Sequence, residues 1–91
     1  MILTPLTIRE KIQRFQGWKI LDGKLTKEFR FANFPTAIVF VNKLVDPAEE
    51  MNHHPEIRVA YDRVEIKLFT HTEGGLTEKD LKLLEEIEAL A

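Results

Sequence analysis

The chain has 91 residues, 13 basic and 15 acidic side chains, three histidines and no cysteine. A net charge of −2 argues against nucleic acid as the main partner, since phosphate binding needs a basic surface, and the missing cysteines exclude disulfides, thiolate chemistry and cysteine-based zinc sites. No apolar run reaches the ~18 residues of a membrane span, and Arg9, Glu10, Lys11 and Arg14 interrupt any signal-like stretch, so the expectation is one cytoplasmic domain over residues 1–91, small enough for its stability to lean on oligomerisation.

Thr7-Ile8-Arg9-Glu10 reads as a capping box with Thr7 as N-cap. Ile8, Ile12 and Phe15 recur at helical spacing, which predicts a helix from Ile8 to Gln16 closed by Gly17. Trp18 to Leu21 and Lys24 to Phe31 read as strands joined at Asp22-Gly23, a type I′ hairpin signal. Leu25, Phe29 and Phe31 share a face of the second strand, and Lys27 breaks the alternation, so that strand is expected to be partly exposed or at an edge.

Asn33 is an N-cap with Pro35 in the first turn. Phe34, Ala37, Ile38, Val41, Leu44, Val45, Ala48 and Met51 form one apolar stripe, which predicts a helix from Phe34 to Asn52. An interior proline costs roughly 3 kcal/mol, so Pro47 predicts a kink or break near Asp46, with Asp46 as a fresh N-cap. Ile57 to Tyr61 and Val64 to His71 alternate as strands around Asp62-Arg63. Thr77 caps a last helix with Asp80 at N3 and Leu81, Leu84, Ile87 and Leu90 on its apolar face. The order is α-β-β-α-β-β-α, an α+β fold with a four-stranded antiparallel sheet and helices packed on one face.

All three histidines fall between Glu49 and Asp80. Pro55 drives His54 toward extended backbone and ends the preceding helix there, so His53-His54 stand at a helix-to-strand junction with His71 at the end of a strand. A lone histidine is by default a surface or satisfied core residue; an adjacent pair before proline weakens that default. Converging imidazoles exchange protons with a substrate near neutral pH. Three histidines suit zinc in principle, but they lack the i, i+4 helical spacing of a zincin. Glu49 and Glu50 serve either as histidine partners or as charges near a helix N-terminus, and Asp80 as helix cap or site residue.

Glu49, three spacers, His53-His54-Pro55, five spacers, Tyr61, nine spacers, His71, eight spacers and Asp80 form a pattern that resembles the pterin-4a-carbinolamine dehydratase (dimerisation-cofactor) family. Gly17-Trp18, Phe29-x-Phe31-x-x-Phe34, Thr70-His71 and Gly75-Leu76-Thr77 agree, and the resemblance runs from about Leu6 to Leu90. It implies the fold reached above and the removal of water from 4a-hydroxytetrahydropterin to give quinonoid dihydropterin, with no metal or organic cofactor. It implies His53, His54 and His71 as the catalytic set, with His54 and His71 as the acid–base pair nearest C4a and His53 in binding and proton transfer. Glu49, Pro55, Thr70 and Asp80 are the implied substrate-site residues. A homodimer or homotetramer packed through the central helix is implied as well, with no nucleic-acid or membrane partner. Pro47 departs from the expected central helix, and Ile57 stands where animal members carry a bulky aromatic. The alternatives are a non-catalytic dimerisation or partner-binding role and a pterin role linked to molybdopterin metabolism.

Overall fold

The computed structural model describes all 91 residues. The elements are α1 (Pro5–Lys11), β1 (Lys19–Leu21), β2 (Lys24–Arg30), α2 (Phe34–Lys43), α3 (Val45–Met51), β3 (Glu56–Ala60), β4 (Arg63–Leu68) and α4 (Glu78–Leu90). The strands form one antiparallel sheet in the order β1-β2-β4-β3. The expected α+β layout holds, with the central helix in two pieces.

One face of the sheet is apolar because the strands alternate. Leu25 and Phe29 of β2 and Val64, Ile66 and Leu68 of β4 are buried with Ile8, Phe40, Leu44, Leu84 and Ile87 of the helices, in one cluster of 16 residues. Edge-to-face and tilted aromatic packing links Trp18, Phe29, Phe40 and Phe31 through the middle of it, at centroid distances of 5.0–6.0 Å. The opposite face carries Lys24, Glu28, Arg58, Glu65 and Lys67, with a Lys24–Glu56 ion pair across the sheet.

Several local expectations give way to stronger signals. The first helix starts earlier, at Pro5, because Thr4 is the N-cap and proline is favourable at the first position. It ends at Lys11, and Gly17, at φ 87°, turns the chain into β1 instead of closing the helix. Lys27 does not mark an edge. β2 lies between β1 and β4, and the Lys27 ammonium reaches Glu88 at 2.7 Å with its side chain only 16% exposed. The Asp22-Gly23 hairpin is as expected, both residues having positive φ. The second hairpin turns one residue earlier than expected. Ala60 pairs with Arg63, so Tyr61 and Asp62 form the loop, and Tyr61 takes φ 58° and is exposed instead of packing on the strand.

The central helix breaks at Leu44, before Asp46. Leu44 caps α3 with no side-chain bond, and Pro47 falls in the first turn, where no N–H partner is needed. Asp46 is therefore a first-turn acid, not the cap. The last strand ends at Leu68, short of His71. Thr70 makes an isolated bridge to Gly75, and its carbonyl gathers the N–H groups of Glu73, Gly74 and Gly75.

Candidate active site

The end of α3 sets the position of the histidine pair. Asn52 is left-handed, at φ 48°. The His53 N–H bonds to the Ala48 carbonyl and the Asn52 N–H to that of Glu49, at 3.0 and 3.1 Å. This is the paired bonding of a Schellman closure, which turns the chain sharply off the helix. Pro55 then starts the run into β3. Closure of the 71–74 loop on Thr70 places His71 beside Phe69, ring centroids 5.0 Å apart and ring planes inclined at 66°.

His53, His54 and His71 line one cleft of ≈ 260 Å³ with Asn52, Phe69, Thr70, Thr72 and Lys79. Ligand clefts run from about 300 Å³ upward, so this one suits a small ring system. The two adjacent histidines differ in environment. His54 is exposed, and its Nε2 meets the Glu49 carboxylate. His53 is buried, and its Nε2 lies 2.6 Å from Asp80 Oδ1.

Asp80 is fully buried at the start of α4. Its Oδ2 accepts from the Thr70 hydroxyl at 2.7 Å and from the Thr77 N–H at 2.9 Å. Thr77 is the N-cap of α4 with Asp80 at N3, as read from the sequence; together they close a capping box, and its acid also serves a histidine. Burying a carboxylate without partners would be costly; three donors around Asp80 answer that cost.

Near the cleft, Lys24 holds the Glu56 carboxyl below the usual carboxylate range, through its hydrogen bond first and its charge second, with smaller contributions from Lys67 and His71. The histidine, aspartate and glutamate side chains form no group of three able to hold a metal ion.

Other sequence candidates lie elsewhere or face elsewhere. Thr70 lines the cleft, but its hydroxyl is committed to Asp80 and Thr77. Pro55 lines a neighbouring apolar groove of ≈ 230 Å³ with Val41, Leu44, Val45, Ala48, Glu49, His54 and Ile57. His54 is shared by groove and cleft. Tyr61 sits at the far end of the β3–β4 hairpin from the Glu56–Lys67 pair, and so away from the histidines. Sequence reasoning passed over Phe69, Thr77 and Lys79. Phe69 carried a signal, since strand alternation puts it on the same side as His71; Thr77 was legible only as a cap.

Comparison with known proteins identifies the family. Residues 1–90 match the family model described as Pterin 4 alpha carbinolamine dehydratase. A Picosynechococcus protein provisionally named a pterin-4-alpha-carbinolamine dehydratase is 47% identical, covering 89% of this chain and 88% of its own. The crystal structure of a protein described as a transcriptional coactivator/pterin dehydratase from Brucella melitensis superposes with a TM-score of 0.92 at 38% identity, covering 100% of this chain and 99% of the other. A pterin dehydratase-like protein described as a RuBisCO assembly factor in the alpha-carboxysome superposes with a TM-score of 0.71 at 26% identity, covering 87% and 94%. The chain belongs to the pterin-4a-carbinolamine dehydratase family.

Proposed function

We propose that this single-domain protein dehydrates a 4a-hydroxytetrahydropterin to the quinonoid dihydropterin, recycling a pterin cofactor in the cytoplasm by histidine acid–base catalysis without a metal or organic cofactor. The observation that carries the reading is the meeting of three imidazoles in one cleft. Hydroxide is a poor leaving group, so the 4a-oxygen needs a proton as the C4a–O bond breaks. The N5 lone pair forms the C4a=N5 bond, and N5 then gives up its proton. An imidazolium supplies the first proton and a neutral imidazole takes the second. His53, His54 and His71 share these roles, with Glu49 and Asp80 orienting the two rings they contact.

A coupled or stopped-flow assay of 4a-hydroxytetrahydropterin dehydration tests this, with wild type beside His54→Ala. Loss of one acid–base group lowers the rate roughly 10²–10⁴-fold, while a far-UV spectrum and an unfolding curve stay close to wild type. Added chelator leaves the rate unchanged. A second reading, assembly of a protein partner without catalysis, is favoured by the structural neighbour described as an assembly factor. No acceleration by wild type would sink the dehydratase reading and favour that one.

A further inference from the structure

The hydrogen bonds behind His53 define the direction of each proton among them. The Thr77 N–H can only donate, and it donates to Asp80 Oδ2. The Thr70 hydroxyl donates to the same oxygen. A hydroxyl carries one proton, so the 2.9 Å contact between the two threonine oxygens runs from Thr77 to Thr70. Thr77 Oγ1 accepts in turn from the Lys79 N–H at 3.2 Å. The relay passes from the Lys79 N–H through Thr77 and Thr70 to one oxygen of Asp80.

The other oxygen, Oδ1, faces His53 Nε2. A carboxylate only accepts, so this ring nitrogen carries the proton. His53 Nδ1 has no protein partner, yet no buried side-chain nitrogen or oxygen lacks one. The 10% of the His53 side chain that is exposed therefore includes Nδ1, and His53 opens on the cleft.

We propose that Thr70, Thr77 and Asp80 are positioning residues that hold His53 in the Nε2–H tautomer and present Nδ1 to the cleft as a proton acceptor. The inference deepens the dehydratase reading and rests on it for the identity of the proton. Nδ1 accepts the N5 proton as C4a=N5 forms, and the 4a-hydroxyl leaves as water with a proton from a second imidazolium, His54 or His71.

Two donors on one oxygen make the device directional. In Asp80→Asn the amide oxygen has to stay where Thr70 and Thr77 donate. Its NH₂ then faces His53 Nε2, which must become an acceptor. The ring proton moves to Nδ1 and blocks the acceptor. The corresponding change in a serine-protease triad forces the wrong tautomer and lowers kcat about 10⁴-fold.

Nitrogen-15 NMR of the full-length protein, recorded where His53 is neutral, reads the tautomer with no substrate present. Wild type is expected to show a protonated Nε2 and a bare Nδ1; Asp80→Asn reverses them and lowers kcat roughly 10²–10⁴-fold with little change in KM. Thr70→Ser keeps the wild-type tautomer. Thr70→Val in the Asp80→Asn background restores part of the Nε2–H population, because one of the two donors is gone. A wild-type His53 protonated at Nδ1 overturns the proposal, and that measurement stands even if the variants do not fold. So does an Asp80→Asn protein that keeps Nε2–H, or one whose tautomer reverses while kcat holds. The expected tautomers in a wild type without dehydratase activity would overturn the pterin reading and leave the relay in place.

Discussion

Removing Glu88 tests how β2 and α4 are locked together. Oε2 of Glu88 accepts from the Lys27 ammonium at 2.7 Å and from the Trp18 indole N–H at 2.9 Å. The two charged side chains are 16% and 20% exposed, so solvent screening is weak. Deleting one partner of a fully buried pair costs about 3–5 kcal/mol. Here the orphaned ammonium keeps some water and its place 4.5 Å from the Phe29 ring centroid, a contact worth about 0.5–2 kcal/mol. Glu88→Ala is therefore expected to cost about 2–3 kcal/mol, or about 10–20 °C in Tm for a domain of this size. Glu88→Gln keeps an acceptor for the indole and costs about 1 kcal/mol. Replacing the pair together, Lys27→Met with Glu88→Leu, brings stability back to within about 1 kcal/mol of wild type, since well-packed apolar isosteres match many buried ion pairs. Urea unfolding followed by fluorescence reports directly, because Trp18 is the one tryptophan and lies in the lock. A cost for Glu88→Ala below about 0.5 kcal/mol, the scale of a surface ion pair, would refute the reasoning.

Pro47→Ala is expected to change stability by less than about 1 kcal/mol, because proline in a first turn removes no helical hydrogen bond; a gain of 2–3 kcal/mol in urea unfolding, on the scale of an interior proline, would show that it strains the helix. Glu56 titrates below its ordinary value of 4.5 because of Lys24. A carboxyl depressed in the folded state contributes stability above its unfolded pKa and loses it as pH falls through the folded one, so the stability difference between wild type and Glu56→Gln closes in acid. A carboxyl NMR titration of Glu56 with its midpoint at or above 4.5 would contradict this. Phe34 and Val45 are 48% and 54% exposed and share a helical stripe with Ile38 and Val41; the expected homo-oligomer buries this stripe, so Val45→Asp lowers the sedimenting mass. A wild type that sediments as a monomer at micromolar concentration would remove the idea.

The parts of the fold that were legible from the sequence are those fixed by nearby residues. Asp22-Gly23 specifies its hairpin because both positions take positive φ. Asn33 and Thr77 specify helix starts because their side-chain oxygens cap N–H groups two or three residues on. The start of α1 was not legible in this way, because Thr7 with Glu10 fits the local capping pattern while the helix is capped by Thr4, with Pro5 in its first turn. Lys27 fails as an edge signal for a different reason, although β2 is partly exposed as expected, at Glu28 and Arg30. Its burial depends on Glu88, 61 residues away along the chain, and no local pattern carries that information.

The candidate site divides along the same line. Asp80 at N3 of a capped helix follows from Thr77 three residues before it. That its second oxygen meets His53 depends on the left-handed turn at Asn52, which lifts the histidine off α3 and over the start of α4. Asparagine adopts that conformation more readily than most residues. A β-branched residue there would disfavour the Schellman closure and move His53 away from its carboxylate. The geometry of the buried histidine thus hangs on a residue with no proton to transfer. Thr70 makes the same point from the other side. The family resemblance implies it as a substrate-site residue, and its hydroxyl points instead into the helix cap. What organises this cleft is the joining of two helix ends, the close of α3 and the cap of α4, with the histidines set between them.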